Sequence, residues 1–193
     1  MKTQFTNIYS ILICLLLVIG WGNHAPLSAQ VKDILVCVDA GHGGKDPGKP
    51  RGSKTQKHEK DLNLDIALKL GAYLTRIPGV KVIYTRSEDK FVSLEDRVKM
   101  ANKQKADYFI SIHCNSNPNT WVKGTKTHIH SHNFKSSQAL ALRIEEEFKL
   151  RGGRHSRGIM SARDRGSNLY VVQYTDMPSV LCEVGFMSNK NEE

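Results

Sequence analysis

Acidic residues are in the minority in this chain of 193 residues, which has 28 lysines and arginines against 19 aspartates and glutamates, a formal net charge of +9. It also lacks internal repeats, low-complexity tracts and a long internal linker, so its length suits a single domain. Nothing resembles a nucleic-acid-binding module, and we predict no nucleic-acid partner. The basic surface is either simply solvated or attracts an anionic partner.

The first thirty residues differ from the rest. Lys2 gives a basic start, Ile8–Gly20 is almost wholly apolar, and Leu27-Ser28-Ala29 offers a small-residue cleavage site. The apolar run is shorter than the roughly 20 residues of a membrane-spanning helix. We therefore predict a signal peptide over residues 1–29, and an exported mature domain over residues 30–193 with no membrane insertion after cleavage. An uncleaved membrane anchor is the alternative. The expected location is the periplasm or the cell envelope and exterior, where a basic protein would meet acidic polymers.

Cysteine is sparse, and export would leave Cys37, Cys114 and Cys182. An odd number in an oxidising compartment argues against a complete disulfide framework. Each of the three lies in or at the end of an apolar strand-like run, where cysteine behaves as a small hydrophobe. We expect all three in the core.

Apolar periodicity predicts the order β-α-β-α-β-β-α-β-β. This order is typical of an α/β fold, and we expect a three-layer α/β/α sandwich around a mostly parallel or mixed sheet of about six strands. A sheet covered on both faces calls for another helix after Glu193, so the domain is expected to lack its last helix. The predicted strands are Ile34–Val38, Val80–Tyr84, Ala106–Cys114, Thr125–His132, Asn168–Gln173 and Ser179–Val184. Three helices are predicted. The first begins at Glu59 and has an apolar stripe of Leu62, Ile66, Leu70 and Leu74; the second follows the cap Ser93 and has Leu94, Val98 and Ala101 on one face. The third is Ser136–Phe148.

Polar residues give two further predictions. The alternation in Thr125–His132 indicates an exposed edge strand, so His128, His130 and His132 are interpreted as solvent-facing rather than as a second metal site. Glu145 to Glu147 are interpreted as the solvated face of their helix.

Four polar side chains occupy positions where a fold alone would not need them: His42, Glu59, His113 and Glu183. Glu59 can simply favour the positive end of a helix, and each histidine can be a hydrogen-bonded residue at a strand end. Glu183 is harder to dismiss, because a carboxylate among apolar strand residues is costly unless its charge is compensated. One explanation covers all four: two histidines and Glu59 bind zinc, which leaves a position for water, and Glu183 is the general base.

The motifs together resemble the zinc-dependent N-acetylmuramoyl-L-alanine amidases of bacterial cell walls (amidase 3 type). The resemblance covers about Ile34 to Asn189, with the blocks in the family's order. The matching blocks are Asp39-Ala40-Gly41-His42-Gly43-Gly44, Asp46-Pro47-Gly48, Glu59-Lys60-Asp61-Leu62-Asn63-Leu64, Thr85-Arg86, Ala101-Asn102, Ala106-Asp107, Ser111-Ile112-His113-Cys114-Asn115 and Pro178-Ser179-Val180-Leu181-Cys182-Glu183-Val184-Gly185-Phe186-Met187-Ser188-Asn189.

The resemblance implies a cell-wall hydrolase that cleaves the amide between N-acetylmuramic acid and the L-alanine of the stem peptide of peptidoglycan. It implies one Zn²⁺ on His42, Glu59 and His113, and a metal-activated water that attacks the lactyl carbonyl. His58 lies beside Glu59 in the sequence and is an alternative ligand to it. Glu183 would pass the proton to the leaving amine. It leaves the substrate-binding residues unknown. Ala40 and Val184 stand where family members often have proline and glycine, and neither change removes a polar group.

Two alternatives remain at this point: another zinc hydrolase of the envelope, such as a peptidase or deacetylase, and a wall-binding module without catalysis. Some members of the resembled family carry an insertion whose helix covers the metal until an activator removes it. Here only about twenty residues separate Asn115 from Ser136, and they include a predicted strand. We therefore expect an open site in a monomer that does not require an activator protein.

Overall fold

The computed structural model describes residues 33–49 and 56–192, so the predicted signal peptide and Cys14 lie outside the described residues. The strands are β1 (Ile34–Ala40), β2 (Val80–Tyr84), β3 (Tyr108–Asn115), β4 (Thr125–Ile129), β5 (Ser156–Ser161) and β6 (Ser179–Phe186). The helices are α1 (Glu59–Leu74), α2 (Leu94–Lys103), α3 (Lys135–Leu150), α4 (Ala162–Arg165) and α5 (Tyr170–Gln173). None of the helices in the described part of the chain is long and apolar enough to cross a membrane.

The strands form one mixed sheet of six in the order β2-β1-β3-β6-β4-β5. The first four are mutually parallel, β4 runs antiparallel to β6, and β5 is parallel to β4. Parallel strands share one carboxyl edge, so the ends of β1 and β3 meet there. This edge brings the residues after β1 next to those at the end of β3.

Helices cover both faces of the sheet, which confirms the predicted three-layer α/β/α sandwich. On one face, α1 and α3 pack against the sheet over a cluster that includes Val38, Ile112 and Val180. On the other, α2 and α5 cover a second cluster that includes Phe109 and Leu181. Cys37, Cys114 and Cys182 are buried and free, as predicted.

The most buried row of α1 contains no leucine: it consists of Glu59, Asn63, Ala67 and Gly71. Ala67 is fully buried, and Ile66 and Leu70 of the predicted stripe are partly buried beside it. Gly71 is needed for close packing, because a Cβ there would collide with the hydroxyl of Tyr84. The helix therefore approaches the sheet more closely than a leucine stripe would allow.

Two secondary-structure predictions were wrong. Asn168–Gln173 was predicted as a strand, but Tyr170–Gln173 is a short helix whose Val171 and Val172 are buried in the second cluster. A short apolar run carries no periodicity that separates strand from helix. The strand Ser156–Ser161 was missed, because its sequence is mostly polar and contains Gly158.

The prediction of an exposed edge strand at Thr125–His132 was also wrong. The strand ends at Ile129 and lies inside the sheet between β6 and β5. Thr125 and Thr127 are fully buried, and their hydroxyls donate to the Glu145 carboxylate at 2.8 and 2.7 Å. Ser156 donates to the same carboxylate at 2.5 Å. Glu145 is therefore part of the interior, contrary to its predicted solvation, because three hydroxyls replace water around it.

Candidate metal centre

Two residues after β1, Gly41 and His42, restrict the path of the backbone at this edge of the sheet. His42 has a left-handed backbone conformation, with φ at 62°. Gly41 packs flat against the ring of His113, and a Cβ at Gly41 would collide with that ring. The His42 and His113 rings consequently meet edge to face, with their centroids 4.9 Å apart.

Glu59 is the first residue of α1, as predicted, and its side chain is only 1% exposed. The backbone N–H groups of Lys49 and Cys114 donate to its two carboxylate oxygens at 2.7 and 3.2 Å. The side-chain amide of Asn63, one turn later, adds a donor at 3.3 Å. The positive end of the helix further favours an anion here. Among the described residues, backbone N–H groups, the Asn63 amide and the two histidines fix this carboxylate, with no lysine or arginine partner.

His42, Glu59 and His113 come together at the carboxyl edge of the sheet. One ligand atom from each lies within 4.8 Å of the others. His42 Nε2 is 3.3 Å from Glu59 Oε2, and His113 Nδ1 is 3.1 Å from Glu59 Oε1. Ligands bonded to zinc at about 2.0–2.1 Å in a tetrahedron stand about 3.3 Å apart, which is close to both histidine–Glu59 distances. Two imidazoles and one carboxylate are also a donor set that zinc takes, so the residues present fit this metal. His58, the alternative to Glu59, is the N-cap residue of α1 and is not part of this group.

Asp46 orients the His42 ring. The Nδ1–H of His42 donates to Asp46 Oδ2 at 2.7 Å, since an ionised carboxylate can only accept. This contact fixes the tautomer and leaves Nε2 facing the other two donors, the arrangement common around metal-ligating histidines. Sequence reasoning did not assign Asp46 this role, although its spacing of four residues from His42 was available.

The charged side chains at this site shift the pKa values of Glu59 and His42. Burial alone would raise the pKa of Glu59, but hydrogen bonds and charge interactions with His113 and His42 hold the pKa well below its usual range. Burial alone would lower the pKa of His42, yet Glu59 and Asp46 raise that pKa above its ordinary value. The site therefore presents an ionised carboxylate between two imidazoles, a set that attracts a cation.

Glu183 lies in β6, where its register partner in β3 is His113. Its Oε2 is buried and has no hydrogen-bond partner among the residues that the structure describes. Burial raises the pKa of Glu183; the nearby charge of His113 opposes this rise, and that of Glu59 adds to it. A half-buried carboxyl group with one unused oxygen beside a metal-binding set is suited to accepting and returning a proton.

A cleft of about 260 Å³ opens onto the two histidines, whose side chains are 24% and 18% exposed. Phe91, Leu94 and Tyr170 contribute to its largely apolar lining, from the start of α2 and from α5. A substrate can therefore approach His42 and His113 from the face of the sheet that α2 and α5 cover.

The interpretation of His128, His130 and His132 as solvent-facing was wrong for His128, because its strand lies inside the sheet. His128 is 7% exposed in the interior of the sheet, and His132 contacts Asp164 at 3.0 Å. Within residues 33–49 and 56–192, His42, Glu59 and His113 are the one group with metal-ligand geometry.

Comparisons with known proteins agree with this architecture. The family model described as N-acetylmuramoyl-L-alanine amidase (amidase 3) matches residues 36–193. The uncharacterised protein YqiI of Bacillus subtilis (strain 168) is 36% identical over 172 residues, which are 87% of this chain and 77% of YqiI. The N-acetylmuramoyl-L-alanine amidase LytC of the same organism is 34% identical over 180 residues, 89% of this chain but only 34% of LytC.

Among solved structures, the crystal structure of an N-acetylmuramoyl-L-alanine amidase from Clostridium difficile 630 superposes with a TM-score of 0.77 at 32% identity, covering 83% of this chain and 84% of that one. The family match spans β1 to the end of β6 and includes His42, Glu59, His113 and Glu183. The chain therefore belongs to the N-acetylmuramoyl-L-alanine amidase family of the amidase 3 type.

Proposed function

We propose that this protein is a zinc hydrolase of bacterial peptidoglycan that cleaves the amide bond between N-acetylmuramic acid and the L-alanine of the stem peptide. One juxtaposition supports this activity above all. Glu183, whose Oε2 has no hydrogen-bond partner among the described residues, is the register partner of His113, one of the three metal-binding side chains. A binding module without catalysis has no need for a half-buried carboxyl group there with one buried oxygen left without a hydrogen bond among the described residues. Family membership supports the assignment of the bond that is cut.

His42, Glu59 and His113 would hold one zinc ion, whose donor set of two imidazoles and one carboxylate is typical of catalytic sites. When bound, zinc lowers the pKa of water and polarises a carbonyl. The carboxylate of Glu59 stays ionised because of its contacts with both histidines. The hydrogen bond to Asp46 holds one proton of the His42 ring on Nδ1, so Nε2 is the nitrogen that would bind the metal in place of a proton.

Glu183 would move the proton. Its carboxylate accepts a proton from the attacking water and then delivers it to the nitrogen of the leaving L-alanine. A pKa raised by burial suits both halves of this transfer, since the group must be ionised to accept the proton and neutral to donate it. Glu183→Gln should keep the fold and the zinc but lower turnover by about 10²–10⁴-fold.

Digestion of purified peptidoglycan followed by mass spectrometry tests the activity. Free stem peptides with an L-alanine amine identify an amidase, shortened stems a peptidase, and an absence of products with zinc present a binding module. Glu146→Gln, on the exposed side of α3, is the matched control for Glu183→Gln. A Glu183→Gln variant with near-normal turnover would assign the proton transfer to another residue.

Metal analysis tests the ligand set separately. His113→Ala should abolish tight zinc binding, because two protein ligands make a poor zinc site. His132→Ala, whose side chain is 44% exposed and lies outside the site, is the control. Stoichiometric zinc in His113→Ala would contradict the assignment.

We also propose activity without an activator. The cleft leaves both histidines partly exposed, and α3 packs on β4 and β5 through Ala141 rather than across the site. The purified mature chain alone should digest peptidoglycan; activity that appears only after an activator is added would contradict this.

Export and a monomeric state complete the proposal. Residues 1–29 would direct export and be removed, which N-terminal sequencing of the secreted protein would reveal as a chain beginning near Gln30. Sedimentation of the mature protein should give the mass of one chain.

A further inference from the structure

The metal site depends on an uncommon backbone conformation at His42. A left-handed φ of 62° is unfavourable for a residue with a Cβ and persists only where surrounding contacts hold it. The preceding strand ends at Ala40, so the ladder of β1 does not extend to this residue. Other contacts must therefore hold the backbone in this conformation.

Arg97 of α2 makes those contacts. Its guanidinium is 2% exposed and donates from Nη2 to the carbonyl oxygen of His42 at 2.7 Å. From Nη1 it donates to the carbonyl of Ala40 at 2.7 Å and to Asp39 Oδ1 at 2.6 Å. The planar guanidinium thus hydrogen-bonds the backbone carbonyls on both sides of Gly41. No other side-chain type provides that many donors in a fixed plane.

Asp39 keeps the guanidinium in place. Its carboxylate is 1% exposed and also accepts hydrogen bonds from Thr85 at 2.5 Å and Ser111 at 2.6 Å. Burial alone would raise the pKa of Asp39, but the charge of Arg97 and these hydrogen bonds lower it. The arginine is therefore anchored to β1 and, through Ser111, to β3.

Arg86 serves the neighbouring segment. It is 1% exposed, and its Nη2 donates to the carbonyls of Gly41 at 2.9 Å and Lys60 at 2.8 Å. Lys60 follows Glu59, so Arg86 ties the loop of His42 to the first turn of α1. Between them, the two arginines bond backbone carbonyls at or next to two of the three metal-binding residues, His42 and Glu59.

We propose that Arg97, assisted by Arg86, is a positioning residue of the metal site: it holds His42 in its left-handed conformation, and zinc affinity depends on it. The inference rests on the zinc site of the proposed function. Arg97 is more than a core residue in this view, because its loss misplaces one metal ligand even when the fold survives. Groups that orient metal ligands typically contribute about 10–100-fold to metal affinity.

Arg97→Lys tests the inference, with zinc affinity measured by competition against a chelator of known strength. Lysine keeps the charge but cannot bond Asp39, Ala40 and His42 in one plane. The expected result is zinc binding about 10–100-fold weaker than in the wild type. Arg97→Gln serves as a second variant if the lysine protein does not fold.

Val98→Ala separates positioning from stability. Val98 is next to Arg97 on α2, is 7% exposed in the core and contributes to the second hydrophobic cluster, away from the metal-binding group. It should lower the unfolding temperature while zinc affinity stays at the wild-type value. Two results would overturn this inference but not the proposed function. One is wild-type zinc affinity in Arg97→Lys; the other is a loss of zinc affinity in Val98→Ala as large as that in Arg97→Lys. A wild-type chain that binds no zinc would overturn the proposed function and the inference together.

Discussion

His128 should make the stability of this protein fall in mildly acidic solution. The side chain is 7% exposed, and its Nδ1 has no hydrogen-bond partner among the described residues. Burial, and then the positive charges of Arg165, Lys126 and His113, lower the pKa of His128 from 6.5 to about 4. The imidazole is therefore neutral in the folded protein at a pH where the unfolded chain would protonate it.

The sign of the effect follows from the two pKa values. Between about pH 6.5 and 4 the unfolded chain binds more protons than the folded protein, so the free energy of unfolding falls as the pH falls through this window. At about 1.4 kcal/mol per pKa unit, the full loss is roughly 3 kcal/mol. Above about pH 6.5 the contribution is fully present.

Urea unfolding at about pH 7 and pH 4.5, with zinc removed by chelation, measures this loss. His128→Leu removes the titrating group and the unpartnered nitrogen, so its free energy of unfolding should fall less than that of the wild type between the two pH values. His132→Leu, at an exposed position, should follow the wild type. Equal losses in the wild type and His128→Leu would show that His128 is not the group responsible.

Three other changes have defined outcomes. Glu145→Ala should lower the free energy of unfolding by roughly 3–5 kcal/mol in urea titration, because three hydroxyls lose their acceptor, whereas Glu146→Ala should be nearly neutral. Leu94→Trp should fill the cleft and lower kcat/KM on peptidoglycan with unchanged zinc affinity; unchanged kcat/KM would place the substrate elsewhere. Gly41→Ala should displace the His113 ring and weaken zinc binding in a chelator competition, and wild-type affinity would show that the ring can shift without cost.

The parallel half of the sheet could be predicted from sequence because of how it is buried. The strands β1, β3 and β6 have helices on both faces, so each appears as a nearly continuous apolar run. Polar residues at the ends of such runs, or inside them, stand out. That contrast is why His42, His113 and Glu183 could be selected before any contact was known, with Glu59 added from the helix start.

The residues that orient this set could not be selected in the same way. Arg97 appears in sequence as an ordinary polar residue on an amphipathic helix, and Asn63 as a polar residue beside an apolar stripe. Their roles depend on backbone carbonyls of Gly41, Ala40 and His42, which are identical in chemistry at every position of the chain. Only the path of the loop shows which carbonyls they meet.

Strand β4 shows why polar alternation was interpreted wrongly. Its threonines appear solvent-facing, since hydroxyls usually are. Yet Thr125 and Thr127 point to one carboxylate from α3, and β5 covers the side of β4 that would otherwise be an edge. Burial of a polar side chain depends on its partner, and Glu145 lies 18 residues beyond Thr127 in a different element. Neither the threonines nor Glu145 are apolar, so hydrophobic periodicity does not reveal this contact. The same alternating pattern is therefore expected both for a solvent-exposed edge strand and for an interior strand whose polar groups are all hydrogen-bonded.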